Sequence, residues 1–180
     1  VRVVCASCGT LVEPTSSGAK ALGKGAALKR WGPYGIPTEN QSLKSRIARL
    51  VFNNWPCFWG SGGKVNFISH DLREVRLSIP LTWRTRNYVG TIFGGSMFAA
   101  CDPPLMLMII HNLGKDYVVW DKGGGARFRK PGRATLYARF IITEADLTEI
   151  RTALTEASPK LDKVFHVDLV DAAGVVHAQI

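Results

Sequence analysis

From Ser42 onward, apolar residues recur with two periods, and the switches between them predict the elements. Leu43, Ile47, Leu50 and Val51 recur at helical spacing, Ser42 is placed to cap that helix, and Pro56 ends it. Lys44, Arg46 and Arg49 take its remaining face. After a turn at Gly60–Lys64, Val65–Ser69 and Leu72–Ile79 read as strands. In the second, Val75, Leu77 and Ile79 alternate with Glu74, Arg76 and Ser78, giving one buried and one wet face. A glycine-containing loop, Asn87–Gly95, leads into Gly95–Asn112, a helix apolar on nearly all sides and therefore central. Gly114 stops it. Tyr117–Asp121, Ala126–Arg129 and Arg133–Ile142 read as strands. Thr143, with Asp146 three residues on, caps a short helix running to about Ala157. Val164–Val170 is a strand, Asp171–Gly174 a turn, and Val175–Ile180 starts a strand that breaks off at the chain end. A long apolar helix among consecutive strands predicts an α+β domain, an antiparallel sheet around one buried helix.

Residues 1–41 differ. They are rich in Gly, Ser and Ala, and Thr15–Pro37 has no sustained period, a composition that predicts a low-complexity, disordered or extraneous segment ahead of a domain at 42–180. Cys5 and Cys8 form a CxxC, but Cys57 and Cys101 stand apart, so a structural metal is not expected. Four cysteines in 180 residues fit a reducing compartment, and the expectation is cytoplasmic. No run is long and apolar enough to span a membrane. The net charge of +9 favours anionic partners.

The candidate chemistry lies at the start of the central helix. Gly94 and Gly95 end a loop and open a helix, where the first N–H groups, including that of Ser96, have no internal acceptor and carry partial positive charge. They can hold an oxygen on which negative charge develops. Asp102 lies mid-helix among Met97, Phe98, Ala99, Cys101, Leu105 and Met106, and a carboxylate in such company is costly to desolvate. It is followed by Pro103 and Pro104, which remove two helical donors. Gly95 and Asp102 are seven residues apart, about 10 Å along the axis, too far for one small group to touch both on one helix. Two antiparallel copies across a two-fold axis bring the helix start of one against the Asp of the other, so this chemistry predicts a dimer with composite sites.

The order Asn87-x-x-Gly90-x-x-Phe93-Gly94-Gly95, with Asp102 nine residues after Phe93, resembles the hotdog-fold thioesterases of the phenylacetate-pathway type. With Trp55-Pro56, Asp102-Pro103, Asp116–Lys122 and Phe128–Gly132 added, residues 42–180 are similar to an uncharacterised hotdog subfamily proposed to be acyl-CoA thioesterases. The resemblance implies a helix wrapped by antiparallel strands, paired into dimers and often tetramers. It implies that Asp102 acts as base or nucleophile on an acyl-CoA or acyl-carrier thioester, that the Gly95 amide polarises the carbonyl, and that Asn87 positions substrate or water. It also implies a further strand beyond Ile180. Phe93 stands where the thioesterases usually carry His, and it can neither hydrogen-bond the thioester nor move a proton. The alternative reading is therefore a non-catalytic acyl-thioester binding module. A hotdog dehydratase would need a suitably spaced His, which is absent.

Between Lys122 and Arg139 the chain carries six basic residues and no acid: Lys122, Arg127, Arg129, Lys130, Arg133 and Arg139. They suit the phosphates of coenzyme A, which would enter as part of the substrate, and no separate cofactor is expected. Nucleic acid is not expected, since aromatics do not interleave with these bases.

Overall fold

The computed structural model describes residues 1–5, 34, 41–154 and 159–180. Cys8 of the CxxC and the stretch Thr15–Pro37, apart from Tyr34, lie outside them. In chain order the elements are β1 (Arg2–Cys5), α1 (Leu43–Asn54), α2 (Pro56–Ser61), β2 (Lys64–Ile68), β3 (Glu74–Ile79), α3 (Gly94–Leu113), β4 (Tyr117–Trp120), β5 (Arg127–Phe128), β6 (Leu136–Ile141), α4 (Glu144–Ala153), β7 (Lys160–Asp162), β8 (Asp168–Val170) and β9 (Val176–Gln179). The strands form a six-stranded antiparallel sheet, β2-β3-β6-β8-β9-β5, and a three-stranded one, β4-β1-β7.

Helix α3 supplies the centre of the core. Met97, Ala100, Cys101, Met108 and Ile109 are buried with Val75, Leu77 and Ile79 of β3, Leu136, Ala138 and Phe140 of β6, and Leu169 and Ala178 beyond them. Pro103 and Pro104 are accommodated inside the helix without ending it. The capping box at α4 forms as the sequence predicts, with the Thr143 hydroxyl accepting from the Asp146 N–H and the Asp146 carboxylate accepting from the Thr143 N–H.

Beyond the unpredicted short elements α2 and β7, three features bear on the sequence reading. Residues 2–5 fall in a stretch expected to be low-complexity, yet Arg2–Cys5 pair on both sides, with β4 and with β7. Val3 is fully buried, and Arg2 makes a two-pronged contact to Asp162 (2.5 and 2.7 Å), which Lys122 joins at 2.7 Å. The final strand is not left at an open edge, because β9 lies between β8 and β5. In helix α1, thirdly, the inner face is Ser45, Arg49 and Asn53, with Ala48 and Phe52 packed on the core, and the stripe of Leu43, Ile47, Leu50 and Val51 is exposed. The Asn53 amide bonds both the N–H and the C=O of Val65, Arg49 donates to the Asn66 carbonyl at the β2 bulge, and Ser45 donates to Ser69 O. Strand β2 is the edge of its sheet, and this polar face supplies the partners its backbone lacks. Helix α1 ends at Asn54, before Pro56, as the sequence predicts, and Pro56 opens a separate short helix, α2.

The hydrogen bonds from Arg2 and then Lys122 hold the Asp162 carboxyl well below its usual range. Its contribution is thus full above about pH 4 and fades as pH falls through the carboxylate range. Asp162→Asn is expected to cost about 1 kcal/mol at pH 7, after allowance for solvent screening. Urea unfolding at pH 7 and near pH 3 checks this, and the gap between the two proteins should narrow at the lower pH.

Candidate active site

The loop before α3 is held from several directions. The Phe93 N–H donates to Thr85 O (2.7 Å) and the Ile92 N–H to Gly132 O (2.8 Å). The Asn87 side chain closes the 87–91 turn, accepting from the Thr91 N–H and donating to the Thr91 hydroxyl, each at 2.9 Å. Both ends of its amide are thereby engaged within the loop, which makes Asn87 a clamp on loop shape. Phe93 is the N-cap of α3 and gives no side-chain cap, so no side chain of the cap residue takes up the first helical N–H groups.

The glycine pair has a steric reason. A Cβ on Gly95 would lie 2.2 Å from the Phe93 ring, and one on Gly94 would lie 2.7 Å from the Phe128 ring. Each ring occupies the space a side chain would need. Phe93 is 57% exposed, and its ring lies beside Gly95.

Two cavities flank this helix. The larger, about 490 Å³, is lined by Asn87, Gly94, Phe128, Arg129, Lys130 and Arg133, with Thr91, Ile92 and Met97 among the other walls. Three of the six basic residues between Lys122 and Arg139 thus come to the glycine end of α3. Arg129 also bonds Gln179 through its guanidinium, and the Arg129 and Lys130 N–H groups both reach His177 O. His177 in turn bridges Pro131 O and the Asp171 carboxylate, fixing the loop that carries these cations. Lys122 and Arg127 are outside this wall, and Lys122 is committed to Asp162.

The second cavity, about 260 Å³, is lined by Asp102 with Phe98, Cys101, Asp121, His166, the glycine run 123–125 and neighbouring residues. Sequence reasoning gave neither Asp121 nor His166 a role in the site. The signal available was an Asp two residues ahead of three successive glycines. One of these, Gly124, approaches so closely that a Cβ would lie 2.8 Å from the Phe98 ring. Burial, and then the Asp102 carboxylate, push the Asp121 carboxyl above its ordinary range. The Asp102 side is open, however. Against the expectation of a desolvated acid, Asp102 is exposed in the single chain, as are Gly95 and Ala99. The reason is that the sheet covers the opposite side of α3, where Ser96, Met97, Ala100 and Cys101 are buried. Gly95, Ala99 and Asp102 share one uncovered stripe, and within one chain the larger cavity holds Gly94 while the smaller holds Asp102.

A family model described as "Domain of unknown function (DUF4442)" matches residues 44–180. The chain belongs to this family. A comparison with curated proteins finds no match. Among solved structures, the DUF4442 chain is similar to a Pseudomonas aeruginosa protein of unknown function described as a "probable thioesterase". That match has 18% identity and a TM-score of 0.56, and covers 74% of this chain and 89% of that one. It is also similar to a thioesterase from Haemophilus influenzae (14%, 0.55, 77% and 87%) and to the E. coli PaaI protein of the phenylacetic acid degradation operon (15%, 0.50, 74% and 86%). At these identities the likeness establishes the fold. The antiparallel sheet around α3 is the hotdog fold.

Cys101 is no nucleophile here. Burial, and then Asp102, push its thiol up to about 12, leaving almost no thiolate at neutral pH. In the folded protein, iodoacetamide at pH 8 is expected to label exposed Cys57 and spare Cys101, which reacts only after unfolding. Peptide mass spectrometry reads the difference.

Proposed function

We propose that this domain hydrolyses an acyl thioester, with coenzyme A or a carrier arm as the thiol part, at a site completed by a second copy of the chain. The observation that carries the proposal is the uncovered stripe of α3. The helix buries one side and leaves open the line that bears both Gly95 and Asp102. An antiparallel partner helix laid on that stripe would set the partner's Asp102 near the helix start of the first copy and would remove both from water.

In this reading the thioester carbonyl oxygen accepts hydrogen bonds from the free N–H groups at the start of α3, as in an oxyanion hole. Asp102 takes a proton from water as the water oxygen bonds to the carbonyl carbon. The C–S bond then breaks. The proton held by Asp102 passes to the departing sulfur, giving a carboxylic acid and a free thiol. Asp121 would supply a second carboxyl in the same cavity, one that keeps its proton to higher pH than an ordinary Asp. Arg129, Lys130 and Arg133 would meet the phosphates of the thiol part beside Gly94. The fold likeness to thioesterases supports this reading.

One observation favours a second reading, in which the domain binds acyl thioesters without cleaving them. The Phe93 ring lies against Gly95, and an apolar ring cannot donate to the substrate. Thiol release from acyl-CoA substrates of graded chain length separates the two. Hydrolysis predicts turnover that Asp102→Asn lowers about 100-fold or more, with substrate binding retained. Tight acyl-CoA binding without thiol release establishes the binding module. Turnover unaffected by Asp102→Asn contradicts the mechanism.

A further inference from the structure

We propose that the outward face of α1 and α2 docks on an anionic lipid surface. This inference rests on a different part of the molecule from the thioester reading and stands or falls apart from it. Because α1 spends Ser45, Arg49 and Asn53 on the edge of β2, its apolar stripe faces outward. Leu43 is 72% exposed and Leu50 64%, and Ile47 and Val51 are open between them. Trp55, between α1 and α2, and Trp59 of α2 are exposed as well. Arg84 lies over the Trp59 ring at 4.3 Å, and the adjoining Trp83 is 81% exposed. A run of large apolar side chains of this extent on one surface marks an interaction site.

Charge selects the occupant. Lys44 and Arg46 are exposed on the same helix, and the sequence has no Asp or Glu from residue 40 to residue 70. A second copy set on this face by a two-fold axis would bring like charges together, with no carboxylate in the helix pair to offset them. An anionic bilayer answers both features. Leu and Ile side chains enter the acyl boundary, Trp rings settle at headgroup level, and the cations meet the lipid phosphates. Among the described residues no helix is long and apolar enough to cross a membrane, so the contact proposed is peripheral. The loop that carries Trp83 and Arg84 runs on to Asn87 and Val89 of the larger cavity wall, so docking would set that cavity beside the lipid.

The test uses the full chain and phosphatidylcholine vesicles with and without phosphatidylserine, read by co-sedimentation and by tryptophan emission. Binding is expected on the anionic vesicles, with a blue shift in emission and weakening as salt rises. Lys44→Gln and Arg46→Gln should each lower partition about fivefold at low salt. The double variant Ile47→Glu with Leu50→Glu should lower it at least tenfold, with the thermal melting point unchanged because both positions face outward. The proposal is overturned if the chain ignores anionic vesicles, or if it binds both kinds equally. It is also overturned if the double variant binds undiminished, or if that variant instead breaks a larger assembly on size-exclusion chromatography, which would make this face a contact between copies.

Discussion

Helix α3 is apolar on almost every side, while the sheet that curls round it covers only part of its circumference. That mismatch is the constraint from which the rest follows. Met97, Ala100, Cys101, Met108 and Ile109 are buried in the core with the sheet, and among the described residues no strand covers the line through exposed Gly95, Ala99 and Asp102. A single chain thus leaves a carboxylate and a glycine-opened helix start exposed, the latter beside the Phe93 ring. The stripe would gain stability from burial against another surface, and in the proposed reading that surface is a second α3, which would also complete the chemistry.

Polar stitching governs the other side of the molecule. The bulge at Asn66 and the open backbone of β2 are met by side chains of α1, and the cost is that α1 shows its apolar residues to the outside. An unpaired buried carbonyl or N–H is expensive. An exposed Leu is tolerated individually, but a stripe of them calls for a partner. The two ends of the fold therefore pose the same problem, apolar surface without cover, with different charges around it. Near Asp102 the neighbouring charge is Asp121, whereas near Leu43 and Ile47 it is Lys44 and Arg46.

How much of this was legible in the sequence depended on the range of the interaction. Local signals read well. The Ser42 cap, the Thr143–Asp146 capping box, the alternation in β3 and the span of α3 all follow from neighbours within a turn or a strand. Faces and pairings settled over long range did not. The period of α1 gave its apolar stripe but not which side the core would take, because Asn53 finds its partner at Val65, across the following helix. Strand β1 has too few residues to announce itself, and it is fixed by Arg2 meeting Asp162 from the far end of the chain. At the candidate site, Asp102 and the glycine pair stood out by chemical type. Asp121 did not, since only folding brings β4's end to the side of α3. The basic residues divided for the same reason. Arg129, Lys130 and Arg133 reach the glycine end, while Lys122 answers Asp162.

The central claim is that each site draws its helix start from one copy and its acid from another. Complementation between two inactive chains tests it most directly. One chain carries Asp102→Asn. The other carries Gly95→Leu, whose side chain has to displace the Phe93 ring and so crowds the helix start. Each alone should release no thiol from acyl-CoA above background. Unfolded together and refolded as a mixture, they should recover roughly a quarter of wild-type activity, because half of the dimers are mixed and each mixed dimer keeps one intact site of two. A mixture as inactive as its parents, with mixed dimers shown to form, would contradict the account.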